Sequence, residues 1–80
     1  MNESEIYDAL TEIFHDVFGE DSPALHPTLT ADQVEGWDSF NNINIVVAVE
    51  NRFQIKLPPR EVEGLASVGD LVRAIQNRIK

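Results

Sequence analysis

Cysteine is absent from the 80 residues of the chain. That excludes a disulfide framework, a thiolate zinc site and a catalytic thiol borne by the protein itself. Lysine and arginine are missing from residues 1–50, which hold eleven acidic side chains, whereas residues 51–80 hold three acidic and six basic ones. With a formal net charge of −8, no Lys/Arg cluster of the kind that phosphate backbones demand is present, so nucleic acid is not an expected partner. The asymmetry gives the molecule a negative side, which serves solubility, steering toward basic partner surfaces, or both. No apolar run approaches the roughly 20 residues that cross a bilayer. The acidic opening MNESEIYD lacks the basic flank and apolar block of a signal peptide, so a cytoplasmic protein is expected. His15 and His26 show no metal-ligand spacing, and no metal site is expected.

What remains is enough for one modest core. The length predicts a single domain over residues 1–80, and an apolar content of 42% is ordinary for a globular chain. Residues 3–18 read as an amphipathic helix: Ile6, Leu10, Ile13 and Val17 recur at helical spacing, with Ala9, Phe14 and Phe18 widening the stripe. Asn2 followed by Glu5 offers a capping-box start and Gly19 a stop. A long connection over 19–37 follows, pinned to the core by Leu25, Leu29 and Val34. Residues 38–53 contain no Gly or Pro and are too long for a strand despite their β-branched content, so a helix is predicted. Its apolar residues Phe40, Ile43, Ile45, Val46, Val47, Val49 and Phe53 fill a wide arc, which predicts burial on most of its circumference. Arg60 to Leu65 form a short helical candidate. Ser67 with Asp70 opens a last helix along Val68, Leu71, Val72, Ile75 and Ile79, whose cations Arg73, Arg78 and Lys80 suit its C-terminal end. The fold class predicted is all-α: a small bundle of three main helices and one short one, with a long first loop.

The chemistry concentrates in VEGWDSFNNINIVVAVE, residues 34–50, where Asp38-Ser39-Phe40 opens the second helix. On local sequence, Asp38 is a good N-cap and Ser39 a tolerable first-turn residue, and helix starts of this kind are common. A nucleophilic serine would need a base and an oxyanion hole; no G-x-S-x-G elbow surrounds Ser39 and nothing marks either histidine as its partner. Paired-carboxylate chemistry and a calcium loop fit no better. A third role needs little local machinery: a serine at the exposed start of a rigid helix can be modified by another enzyme and present what it carries.

With that triplet in place, the chain resembles the acyl carrier proteins, in which D-S-L opens the second helix and the serine bears 4′-phosphopantetheine. The likeness runs from Asp38-Ser39-Phe40 through Glu50 and Phe53, Leu57-Pro58 and Val68-Gly69-Asp70, and includes the first helix and long first loop. It implies an acyl-carrier-like bundle that catalyses nothing itself. Ser39 Oγ would attack the β-phosphate of coenzyme A inside a magnesium-dependent phosphopantetheinyl transferase, and the resulting arm would carry acyl groups as thioesters. The missing cysteine fits, since the arm supplies the thiol. Phe40, Ile43, Val47, Leu65 and Val68, read as inward-facing, are candidates to line the space that shelters the acyl chain, or are ordinary core. Partner recognition is assigned to Asp38, Phe40, Asn41, Asn44 and Glu50, facing acyl-loading and acyl-transfer or synthase enzymes with basic surface patches; the carrier acts as a monomer. Asn41, Asn44 and Asn51 stand where fatty-acid-synthase carriers usually have acids, and Phe40 replaces the usual Leu. These departures imply a specialised carrier for a lipid, surface-glycolipid or secondary-metabolite pathway. A peptidyl or D-alanyl carrier is the nearest alternative, although its L-G-G-D-S context is absent; an unmodified helical interaction module is the other.

Overall fold

The computed structural model describes residues 2–65 and 67–79. Four helices follow in order: α1 Glu3–Phe18, α2 Ser39–Phe53, α3 Pro59–Glu63 and α4 Val68–Arg78. Each start is written in the side chains. Asn2 accepts from Glu5 N at 2.9 Å while Glu5 Oε1 accepts from Asn2 N at 3.1 Å, closing the capping box of α1. Asp38 caps α2, and Ser67 caps α4 by accepting from Asp70 N at 3.3 Å. Pro59 occupies the first turn of α3, where its missing N–H leaves no bond unmade. Lys80, expected at the end of α4, lies outside the described residues.

The core gathers Ile6, Leu10, Ile13 and Phe14 of α1, Ile45, Val46, Val49 and Phe53 of α2, and Val68, Leu71, Val72 and Ile75 of α4. The long connection is less bare than its length implies. Short 3₁₀ turns occupy Gly19–Asp21 and Ala31–Gln33, Leu29 and Val34 are buried, and Leu25 packs against the core. Its middle is clasped to the start of α4: Val68 N donates to Leu29 O at 2.9 Å, Gly69 N donates to Pro27 O at 3.0 Å, and Thr30 pairs with Ser67 in an isolated antiparallel bridge. A Cβ at position 69 would sit 2.8 Å from Pro27 O, so this close approach requires glycine. Ion pairs brace the helices, Arg52 with Glu12 at 2.7 Å between α2 and α1, and Arg78 with Glu61 between α4 and α3.

One expectation needs correcting. Helix α2 is not buried on most of its circumference. Phe40, Ile43 and Val47 are 71%, 62% and 48% exposed, and only Ile45, Val46, Val49 and Phe53 of its large apolar side chains enter the core. The helix carries two apolar faces, one packed and one bare. At about 100° per residue, Ile45, Val46, Val49 and Phe53 occupy one arc, while Ile43, Val47 and Phe40 occupy the opposite one.

Candidate functional site

The chain enters α2 through a stapled corner. Gly36 adopts φ +88°, a left-handed turn open to glycine at no steric cost. Trp37 N then donates to Val34 O at 3.2 Å. Asp38 is extended, and its Oδ1 accepts from Asn41 N at 2.9 Å. Two further bonds tie the corner to the helix it opens: Asn41 Nδ2 donates to Gly36 O at 2.6 Å, and Trp37 Nε1 donates to Asn42 Oδ1 at 3.0 Å. The indole also stands edge-on to Phe14, with ring centroids 5.2 Å apart, so the corner is fixed to α1 as well.

Ser39 is the first residue of α2 and is exposed. Among the described residues its hydroxyl has no hydrogen-bond partner. No histidine or lysine lines the cavity beside it. The one carboxylate there, that of Asp38, is engaged as the helix cap. The corner therefore offers a held, solvent-facing hydroxyl without a base to activate it. It suits modification in trans, and the positive end of the α2 dipole favours an anionic substituent at this position. These residues fit a phosphodiester on Ser39.

Beside Ser39 a half-open cavity of about 310 Å³ runs between α2, the first loop and the start of α4, lined by Trp37, Asn42, Ile45, Val46, Leu65 and Leu71 among others. Of the five residues expected to line an acyl space, Leu65 lines this cavity. Phe40, Ile43 and Val47 face outward, and Val68 is fully buried in the core away from the lining. The α2 side chains that line it, among them Asn42, Ile45 and Val46, stood in the sequence at the i, i+3, i+4 spacing of one helix face. The competing apolar set on the other face obscured it.

The recognition residues also divide. Asp38, Phe40 and Asn44 are exposed and close to Ser39 in sequence. Asn41 is partly buried and serves the corner through its amide. Glu50, expected to meet partners, is partly buried, and its Oε2 accepts from Leu57 N at 2.8 Å, securing the segment that follows α2. A carboxylate between two apolar arcs thus has a structural purpose that spacing alone did not reveal.

Comparison with known proteins agrees with this corner and fold. Residues 8–75, which include the Asp38–Ser39 corner, match the family described as phosphopantetheine attachment site. An acyl carrier protein of Acidothermus cellulolyticus is 32% identical over 77 residues, covering 96% of this chain and 92% of that one. Another from Thermosynechococcus vestitus is 28% identical over 79 residues, covering 99% and 98%. Among solved structures, the holo acyl carrier protein of Geobacter metallireducens superposes with a TM-score of 0.84 at 36% identity, over 91% of this chain and 84% of that one. The chain belongs to the phosphopantetheine-bearing carrier family, as an acyl carrier protein. It has the all-α fold of that family, with three main helices and one short one, and is a carrier and not a catalyst.

Proposed function

We propose that Ser39 is the residue that receives the 4′-phosphopantetheine arm, and that residues 1–80 act as one carrier domain. The observation that carries this is the partnerless, exposed hydroxyl at the first turn of α2, held by the Asp38, Trp37 and Asn41 contacts. In the transfer, Ser39 Oγ forms a P–O bond to the β-phosphate of coenzyme A. The bond between the two phosphates breaks, adenosine 3′,5′-bisphosphate leaves, and the serine proton passes to a base of the transferase. Once attached, the group supplies a terminal thiol that holds acyl groups as thioesters.

The enzymes that load and unload this arm must approach the face on which Ser39 lies. Phe40, Ile43 and Val47 extend from it within about 100° of helical arc. The exposed ridge from Ser39 to Val47 carries no charge: Asn44 flanks it, Glu50 is bound by Leu57 N, and Arg52 by Glu12. Partners therefore contact α2 through apolar surface, while Asp38 and the acids of α1 steer basic partner surfaces from longer range. This uncharged ridge supports the reading of a specialised carrier in lipid, surface-glycolipid or secondary-metabolite synthesis.

Intact mass after incubation with coenzyme A, magnesium and a broad-specificity phosphopantetheinyl transferase tests the assignment. One phosphopantetheine is expected on the wild type and none on Ser39→Ala. Addition that persists in Ser39→Ala would move the attachment elsewhere.

A further inference from the structure

The cavity beside Ser39 is not uniformly apolar. Ile45, Val46 and Leu71 are buried, and Asn42 and Ser67, both half-buried, stand among them. The Asn42 side chain is oriented by Trp37, whose Nε1–H occupies Oδ1 at 3.0 Å. Its Nδ2 is left as a donor without a partner among the described residues. Ser67 Oγ accepts from Asp70 N at 3.3 Å, and its O–H donates to no partner among the described residues. Two donors thus flank a cavity of about 310 Å³, near the lower end of the ~300–1,000 Å³ typical of ligand pockets.

Seating a plain alkyl chain here would take both donors out of water with nothing to bond. A buried donor left unpaired loses more than a satisfied one gains, and a site built around such donors rejects the analogue that lacks the matching acceptor. An acyl group with an oxygen a few bonds beyond the thioester carbonyl satisfies the donors and still places its carbons against Ile45, Val46 and Leu71. The half-open cavity of about 310 Å³ has room for such a group.

We propose that the cavity beside Ser39 selects short oxygen-substituted acyl groups, of the 3-hydroxyacyl class, over saturated chains of equal size, with Asn42 Nδ2 and the Ser67 hydroxyl as the discriminating donors. The inference rests on the assignment of Ser39 as the arm-bearing residue. Trp37, the single tryptophan of the chain, lines the cavity with Ser39, bonds Asn42 and reports on occupancy.

The test loads the carrier with 3-hydroxybutyryl- or isovaleryl-phosphopantetheine from the corresponding coenzyme A thioesters; the two acyl groups differ by a hydroxyl for a methyl. Release of each thioester by hydroxylamine is timed and Trp37 emission recorded. The hydroxyacyl group should be released roughly five- to tenfold more slowly, with a shift of Trp37 emission that isovaleryl does not produce. Asn42→Leu deletes one donor and should shrink the release difference; Asn42→Leu with Ser67→Ala deletes both and should abolish it, with circular dichroism checking that each variant folds. Equal release of the two thioesters from the wild type, or a difference that survives the double variant, overturns the proposal. Intact mass separates this from failure of the assignment itself: a chain that never accepts the arm, or accepts it in Ser39→Ala, brings down both.

Discussion

At the scale of single residues, side chains that look like surface chemistry turn out to hold backbone. Asn41 stands where an acid would strengthen a basic partner's grip, yet its amide N–H is needed by Gly36 O at 2.6 Å. Asn41→Asp would set a carboxylate oxygen against that carbonyl. The loss of about 1–3 kcal/mol outweighs the ~0.3–1 kcal/mol that an acid gains near a helix N-terminus. The variant should melt several degrees lower by circular dichroism. Tyr7 poses the opposite case. Among the described residues its buried hydroxyl has no hydrogen-bond partner, and burial first, then the Glu3 carboxylate, raise its pKa above the ordinary 10.0. Because the folded state holds the phenol proton more tightly than the unfolded state, its share of stability is intact below pH 10 and falls as pH rises through the folded value. Tyr7→Phe should match or exceed wild-type stability at pH 7. Across the alkaline range it should lose less, as followed by urea denaturation at stepped pH.

At the scale of elements, α2 shows what a sequence reveals and what it conceals. Helix starts were legible because caps are local: Asn2, Asp38 and Ser67 each act within three residues. The core stripes of α1 and α4 were legible because only one face of each is apolar. On α2 two apolar faces merged into one arc, and no periodicity tells which of two such faces meets the core. Glu50 and Asn42 were opaque for a related reason, since their partners Leu57 and Trp37 are set by the path of the connecting segments. The division of α2 predicts contrasting outcomes for neighbours. Ile45→Ala, at a site 1% exposed, should cost about 2–5 kcal/mol. Ile43→Asn, at a site 62% exposed, should leave the melting temperature within a degree or two and raise the KM of the transferase for this carrier about tenfold. Equal KM values would remove the bare face from partner contact.

At the scale of the whole molecule, charge and connectivity act where individual contacts do not. With a net charge of −8, association with a basic partner should slow as salt rises toward the regime where the Debye length falls to a few ångströms. Stopped-flow association at stepped salt measures this; a rate indifferent to salt would remove the steering role. The clasp between Pro27–Thr30 and Ser67–Gly69 has a reach of its own. Gly69→Ala should open it, costing about 1–3 kcal/mol through the clash with Pro27 O. Closing that contact loops roughly forty residues, an entropic toll that helix formation and local packing do not face. The clasp should therefore form after the individual helices. A change at position 69 should shift the unfolding arm of a chevron plot to faster rates and leave the refolding arm nearly untouched. The corner that presents Ser39 lies between the two halves of that clasp along the chain, so opening the clasp should free the segment around Ser39 while the α1–α2 packing stays in place.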